Sequence, residues 1–179
     1  KSITFGTDCY SNIIKRISKN ITLNNDCYSN IIGIGCDTIT FGASCRNNIL
    51  NDGCLRNTFE SQCIANTLDN DCTDNTFDSQ CCDNKLGRLS QNNHLYSGCN
   101  SNILGDNCNS NSLGENCNSN TFGDGCHDNI FGNNCNSNTF GEECYSNNLA
   151  EGCNSNIFGK GSYSNTFGTS CYSNNFGSQ

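Results

Sequence analysis

Hydrophobic and polar positions follow a pattern that repeats every nine residues along the whole chain, without insertion or deletion. The repeat reads Cys-x-Ser-Asn-x-Phe-Gly-x-x, and nineteen full copies follow one copy that lacks its first residue. The sixth position is always Phe, Leu or Ile, and the fourth is Asn except at Ile3, Ile21 and Ile39. Inward positions four and six with outward positions three and five predict a short β-strand in every unit.

Turns are predicted from the glycines, because all 18 of them occupy position seven or nine of the repeat. Asn or Asp fills position seven in four further copies, and these residue types tolerate a positive φ angle. The chain has no proline to interrupt a ladder. The unit is therefore predicted to be strand and turn, with the chain turning at position seven.

Differences between copies predict how many units close one coil. The isoleucines at position four recur in every second unit, and position five alternates in the same way along Thr4, Ile13, Thr22, Ile31, Thr40 and Ile49. Serine replaces cysteine at the equally spaced Ser18, Ser90 and Ser162, a spacing that fits four coils of two units and no whole number of three-unit coils. We predict an all-β fold: a flattened parallel β-solenoid of about ten coils with two units per coil, roughly 48 Å long. The crossover rule favours right-handed coiling, and residues 1–179 form a single repeat domain.

Three kinds of side chain are predicted to form ladders in the core, because identical Asn side chains or aromatic rings one coil apart can bond or stack along a column. The cysteine ladder comprises Cys9, Cys27, Cys36, Cys45, Cys54, Cys63, Cys72, Cys81, Cys99, Cys108, Cys117, Cys126, Cys135, Cys144, Cys153 and Cys171. The asparagine ladder includes Asn12, Asn30, Asn48, Asn102, Asn120 and Asn138. The phenylalanines of position six are Phe5, Phe41, Phe59, Phe77, Phe122, Phe131, Phe140, Phe158, Phe167 and Phe176.

The cysteine column has three interpretations: a metal array, a disulfide array or a stack of buried thiols. Zinc sites use Cys-x-x-Cys pairs with four convergent ligands, which a nine-residue grid does not provide. Disulfides between coils are geometrically conceivable, but serine at three grid positions fits a small buried side chain better. We predict a mostly reduced ladder with no metal and no cofactor. Cys82 lies off the grid at the outward second position and is a candidate exposed thiol or an incidental substitution.

Composition and charge exclude several functions. The net charge of -8 argues against a nucleic-acid partner, and no apolar run approaches the ~20 residues that span a bilayer. The acidic residues of position eight lack the Gly-Gly-x-Gly-x-Asp run of a calcium-binding roll, and we interpret them as a solvated edge. His94 and His127 are the only histidines and have no recurring Ser or Asp partner. We therefore predict that the protein is not an enzyme.

Two outward faces are candidate binding surfaces. Ile13, Ile31 and Ile49 stack into an apolar strip on one face, which is a candidate subunit interface. The other face carries threonine at position five, which would suit an ice-binding array, but only Thr38 and Thr40 form a Thr-x-Thr pair. Ice binding is the alternative function.

The units that begin at Cys135, Cys144 and Ser162, such as Cys135-Asn-Ser-Asn-Thr-Phe-Gly141, resemble tandem arrays in proteins of gut bacteria and their phages, some labelled as tail-fibre or surface proteins. The resemblance covers the whole chain and is weaker in its first third. It implies a structural, non-enzymatic shaft or adhesive segment of an extracellular fibre, filament, cell-surface or virion appendage. Because the repeat is in frame at Ser2 and at Gln179, we expect an uncapped fragment or a unit that self-associates end to end or within a fibre. A cell-surface receptor or a glycan is a further expected partner.

Overall fold

A computed structural model describes residues 2–178, which form twenty short β-strands numbered in chain order. The first sheet contains β1 (Ile3–Phe5), β3 (Lys19–Leu23), β5 (Asp37–Phe41), β7 (Thr58–Phe59), β9 (Thr76–Phe77), β11 (His94–Leu95), β13 (Ser112–Leu113), β15 (Ile130–Phe131), β17 (Asn148–Leu149) and β19 (Thr166–Phe167). The second contains β2 (Ile13–Ile14), β4 (Ile31–Ile32), β6 (Ile49–Leu50), β8 (Thr67–Leu68), β10 (Lys85–Leu86), β12 (Ile103–Leu104), β14 (Thr121–Phe122), β16 (Thr139–Phe140), β18 (Ile157–Phe158) and β20 (Asn175–Phe176). Within that range no helix is long and apolar enough to cross a membrane.

Each strand pairs in parallel with the strand two units away along the chain, so two units make one coil. In the first sheet Ile3 pairs with Ile21, and Ile21 pairs with Ile39. In the second, Ile13 pairs with Ile31, and Ile31 with Ile49. The predicted β-solenoid of about ten coils is therefore confirmed. Right-handed coiling stays a prediction.

The strand of most units covers only positions five and six, and the backbone is left-handed on both sides of it. From Asp8 to Ser173, every residue at position three or nine has φ between 52° and 73°, including Ile17 and Thr38, both at 59°. Position three is therefore a bend and not the extended residue that the alternating pattern predicted. Each inner coil contains four left-handed residues, two from each unit.

The prediction that position seven turns with a positive φ was wrong. The six glycines with positive φ are all at position nine, and those at position seven lie outside the left-handed region. Most glycines of position seven instead lie against the backbone of the preceding coil, and a Cβ atom added to Gly33 would lie 2.5 Å from the backbone nitrogen of Arg16. Eight units nevertheless carry a side chain at position seven, so the close approach is specific to the glycine-containing units. Glycine there permits close backbone approach between coils.

Backbone N–H groups of left-handed residues donate to carbonyls of the following coil, whereas those of the other residues paired through backbone carbonyls donate to the preceding coil. At position two, the Tyr28 N–H donates to the Cys9 carbonyl of the preceding coil, at 3.0 Å. At position three, the Ser29 N–H donates to the Arg46 carbonyl of the following coil, at 3.2 Å. Each inner coil is thus hydrogen-bonded to both of its neighbours.

The core is a narrow space filled by the side chains of positions one, four and six, and the aromatic rings of position six stack along the solenoid axis. Phe41, Phe59 and Phe77 are fully buried, and each ring centroid lies 4.7 Å from the next. A second stack contains Phe140 and Phe158, with centroids 4.3 Å apart. Stacked aromatic pairs contribute about 0.5–1.5 kcal/mol beyond their buried area.

Three predicted core phenylalanines are not fully buried, and all three belong to the outermost coils. Phe5 and Phe167 are half-buried, and Phe176 is 47% exposed. Their burial is incomplete because the stack of coils ends beside them. The other seven are buried.

Candidate functional site

The predicted asparagine ladder is confirmed, and each buried amide of the inner coils is hydrogen-bonded to its neighbours along the column. Asn48 Oδ1 accepts from both the backbone nitrogen and Nδ2 of Asn30, at 3.0 and 2.9 Å. Its Nδ2 donates to the Cys27 carbonyl at 3.1 Å and to Asn66 Oδ1 at 3.0 Å. All four hydrogen-bonding sites of the buried amide are occupied, which removes a penalty of roughly 1–3 kcal/mol per unmet group.

Position four forms two columns, one beside each sheet. The three isoleucines form one end of the column beside the first sheet, and asparagines form the rest. Ile3, Ile21 and Ile39 occupy successive coils, and the Ile39 N–H donates to Asn57 Oδ1 at 2.9 Å. From Asn57 onwards each amide passes its hydrogen bonds to the next, as in Asn57 Nδ2 to Asn75 Oδ1 at 2.9 Å. Ile and Asn thus form continuous runs, because an isolated buried amide would lack partners.

The cysteine ladder is also confirmed, and it forms two columns of different composition. The unbroken column has cysteine in all ten coils, at Cys9, Cys27, Cys45, Cys63, Cys81, Cys99, Cys117, Cys135, Cys153 and Cys171. The interrupted column contains all three serines and reads Ser18, Cys36, Cys54, Cys72, Ser90, Cys108, Cys126, Cys144 and Ser162. All of these cysteines are free thiols; Cys9 and Cys171 are half-buried and the others are buried.

The buried thiols donate to backbone acceptors in the preceding coil. Cys63 Sγ donates to the Gly42 carbonyl at 3.2 Å, and Cys108 Sγ donates to the Gly87 carbonyl at the same distance. Burial raises the pKa of the Cys27 thiol to about 12. It also raises the pKa of Cys36.

The serines of the interrupted column differ in how their hydroxyl groups are satisfied. Ser18 Oγ donates to the Lys15 carbonyl at 2.6 Å, and Ser162 Oγ accepts from the Cys144 N–H at 3.2 Å. Ser90 is fully buried, and its Oγ has no hydrogen-bond partner among the described residues. The position therefore fits a thiol better than a hydroxyl, because an unpaired buried polar atom is costly.

Cys82 is not the freely exposed thiol that its outward position suggested. It is half-buried, its Sγ lies 3.5 Å from the Gly98 carbonyl, and it accepts from the Asn100 N–H at 3.5 Å. The neighbouring coil therefore covers part of the sulfur atom.

The candidate interface isoleucines lie in register on the outer face of the second sheet. Ile13 is 75% exposed, and Ile31 and Ile49 are each 39% exposed. Thr67 and Lys85 continue the same column. The apolar strip is thus three coils long and ends at a polar residue.

A buried acidic residue at position two was missed by the sequence analysis. Asp37 is only 6% exposed, and its carboxylate contacts Arg56 and the Nζ of Lys19, the latter at 3.4 Å. Thr38 Oγ1 donates to Asp37 Oδ1 at 2.9 Å. Burial acts to raise the pKa of Asp37, but the bonds from Arg56, Thr38 and Lys19 outweigh it and lower the pKa. An acidic residue one coil from a basic one is a signal that could have predicted this cluster.

A second missed feature is a stack of aromatic rings at position two. The His127 and Tyr145 ring centroids are 4.5 Å apart, and those of Tyr145 and Tyr163 are 5.0 Å apart. These rings form one wall of a shallow groove of about 430 Å³, which we call the aromatic groove. Gly125, Glu143 and other position-nine residues form the opposite wall. The recurrence of the three rings in every second unit was the available signal.

Threonines of position five occupy five consecutive coils of the first sheet, in register at Thr4, Thr22, Thr40, Thr58 and Thr76. His94 follows in the sixth coil. The other candidate histidine, His127, bonds through Nδ1 to Asp128 Oδ2 at 2.8 Å. These two imidazoles belong to different columns and coils.

Two of the acidic residues of position eight, Asp106 and Asp124, accept hydrogen bonds from the backbone of the following coil. Asp106 Oδ1 accepts from the Asp124 N–H at 3.1 Å, and Asp124 Oδ1 accepts from the Glu142 N–H at 2.8 Å. Across residues 2–178, no three His, Cys, Asp or Glu side chains are arranged to hold a metal ion. Comparison with protein-family models, curated proteins and solved structures finds no match to this chain.

Proposed function

We propose that the protein is a non-enzymatic structural rod that forms part of an extracellular fibre, filament or virion appendage. The observation that carries the proposal is the continuity of the asparagine ladders, which join successive coils from Asn12 to Asn174. The buried polar side chains of position four are used for coil-to-coil bonding. A solenoid whose buried polar side chains all bond from one coil to the next is suited to bearing load along its axis.

The ladder also supports self-association, because its hydrogen bonds have one direction. Each Asn donates through its backbone nitrogen and Nδ2 to the following coil, as Asn66 does to Asn84. A further coil, from any source, could join only with the same polarity. Copies that associate end to end would therefore stack head to tail.

The aromatic groove supports an adhesive role for the outward positions. It combines the stacked rings of Tyr145 and Tyr163 with the carboxylate of Glu143. Hydroxyl and carboxylate groups beside aromatic rings suit a polar partner such as a cell-surface receptor or a glycan. Partner binding of this kind would leave the core ladders unchanged.

Sedimentation velocity and negative-stain electron microscopy over a range of protein concentrations test the structural role. We expect a rod of roughly 48 Å that assembles into filaments one solenoid wide as the concentration rises. The variant Ile31→Lys distinguishes stacking from side-by-side contact, with Thr139→Lys as a control on the same face of the second sheet. End-to-end filaments survive both changes, whereas association through the isoleucine strip is lost only in Ile31→Lys.

Ice binding is the second candidate, and the in-register threonines from Thr4 to Thr76 favour it. Arg56 and Asp74 lie at position three beside this column and interrupt a flat array. Thermal hysteresis measurements with inspection of crystal shape decide between the two functions. A protein that shapes ice and stays a single rod at every concentration contradicts the structural proposal.

A further inference from the structure

The unbroken column brings ten thiols into line along the solenoid axis. The Sγ atoms of Cys9 and Cys27 are 2.7 Å apart. Cys63 lies between Cys45 and Cys81 in this column, one coil from each. Cysteines at the same position of successive coils have Cα atoms about 4.8 Å apart, the spacing of the paired strands, inside the range of about 4.4–6.8 Å that a disulfide requires.

Thiol contacts run along a column, between successive coils. The cysteines one coil before and after Cys99 are Cys81 and Cys117, both in the unbroken column. In the interrupted column, the Cys108 N–H donates to Cys126 Sγ at 3.3 Å, and Cys144 lies one coil beyond Cys126. Ser90 separates the three thiols that precede it in this column from the three that follow it.

We propose that the two cysteine columns are a site of oxidative modification, at which disulfides form between successive coils and join them covalently along the axis. The oxidant is a low-molecular-weight disulfide such as oxidised glutathione. One protein thiolate attacks it, forming a mixed disulfide and releasing one glutathione thiolate. The thiolate of the next coil attacks the mixed disulfide and releases the second. Two protein thiols are thus oxidised to one disulfide, and one oxidised glutathione is reduced to two glutathione thiols.

The column layout determines how many thiols remain after complete oxidation. The ten cysteines of the unbroken column can all pair, whereas each run of three in the interrupted column forms one disulfide and leaves one thiol. Cys82 has no cysteine one coil away on either side, where Ile64 and Asn100 lie. Of the 17 thiols, seven disulfides would leave three. This inference concerns the core and does not depend on the proposed fibre role.

The test is to count thiols after incubation in a glutathione redox buffer. The folded protein is incubated directly and is also refolded in the same buffer, because most of the thiols are buried. Remaining thiols are alkylated in denaturant without reductant, and the mass of the intact protein is measured. We expect 17 alkyl groups on the reduced protein and three on the oxidised protein. Peptide mapping should show pairs only between cysteines of successive coils in the same column, and the unfolding midpoint should rise.

Two variants make the count diagnostic. Ser90→Cys joins the two runs of three into one run of seven, which forms three disulfides and leaves one thiol. Together with Cys82, two thiols should remain in place of three, although the variant has one more cysteine. Cys82→Ser also leaves two thiols, but the number of disulfides stays at seven. Circular dichroism checks that each variant keeps the fold. The proposal is overturned if all thiols of the folded protein stay free both after direct incubation and after refolding in the buffer. It is also overturned if glutathione adducts accumulate in place of disulfides, or if the disulfides that form do not join successive coils.

Discussion

Left-handed residues are the most unusual feature of this chain at the residue scale. A non-glycine residue with positive φ is uncommon, and a β-branched one is a steric outlier. Here Ile17 and Thr38 adopt φ of 59°, at positions that other units fill mostly with Ser, Asn, Asp or Gly. The hydrogen bond from the Ile17 N–H to the Ile34 carbonyl, at 2.9 Å, explains why the conformation is kept. The coil-to-coil ladder imposes the backbone angle, and the side chain must accept it.

Replacing Ile17 by asparagine should therefore stabilise the protein by about 1 kcal/mol, because asparagine adopts the left-handed conformation at lower cost. Ile17 is 69% exposed, so little buried apolar area is lost. Urea unfolding followed by circular dichroism measures the change. Ile13→Asn is the control, since Ile13 is comparably exposed but lies in β2. A gain in both variants would show that the backbone conformation is not the cause.

At the scale of an element, the asparagine column acts as one unit, because each amide completes the bonding of its neighbours. Asn102 accepts two hydrogen bonds from Asn84, and its Nδ2 donates to the Cys81 carbonyl and to Asn120. Removing one such side chain leaves partners unsatisfied in two adjacent coils. The cost of a substitution should therefore depend on its position along the column.

Asn102→Ala should lower the free energy of unfolding by about 3 kcal/mol or more, since several buried groups lose their partners. Asn12→Ala is the matched control, because Asn12 is half-buried and its side chain bonds only to Asn30 among the described residues. We expect a loss of about 1 kcal/mol there. Urea titrations of both variants test this difference. Equal losses would mean that the column does not act cooperatively.

The register of the elements could be predicted from the sequence because it is recorded in side chains that recur in every second unit. Ile3, Ile21 and Ile39 align only if two units close a coil, and the sheets confirm it. The role of the glycines could not be predicted in the same way. Glycine can be needed either because the backbone has a positive φ angle or because two backbone segments approach closely. At Gly33 the close approach is the reason, and only the position of the preceding coil reveals it.

Two kinds of contact between coils could not be predicted from the sequence pattern either. Position three carries Ser, Asn, Asp, Thr, Ala or Arg. This mixture is typical of a solvent-exposed site, so it gives no indication of the left-handed backbone found there. Asp37 lies at a variable position, and its burial depends on Lys19 and Arg56 in the neighbouring coils. Such contacts do not recur from unit to unit, so the repeat pattern does not mark them, and only the opposite charges one coil apart could have indicated this one.

For the whole molecule, the buried Cys27 thiol predicts a loss of stability at high pH. The pKa of Cys27 is raised to about 12 in the folded protein, whereas a thiol in an unfolded chain ionises near ~8.5. Between these values the unfolded chain has released a proton that the folded chain retains, so the free energy of unfolding falls as the pH rises. Below about pH 8.5 this contribution is fully present.

Urea unfolding in the presence of a reductant, from pH 7 to pH 11, measures this dependence. We expect the midpoint to fall progressively above about pH 8.5. Cys27→Ser should reduce the slope, because serine does not ionise in this range. A midpoint that stays constant up to pH 11 would contradict the raised pKa.

Because every coil presents the same ladders, the molecule should tolerate loss of one complete coil. Deleting residues 99–116 joins Gly98 to Cys117 and keeps every column in phase. The product should fold into a rod about 4.8 Å shorter, as measured by small-angle scattering and circular dichroism. Deleting residues 99–114 shifts all later residues out of phase and should prevent folding of that segment. Similar stability of the two deletion variants would refute the column arrangement.

The coil-to-coil hydrogen bonds also determine how the rod responds to force. They join adjacent coils and lie along the axis, so a pull on both ends loads the outermost coil first. Each coil that detaches would release two units of the repeat, or roughly 60 Å of extended chain. The reduced rod would therefore lengthen in equal steps, as an extensible tether, and a disulfide between two coils would limit how much chain each step can release.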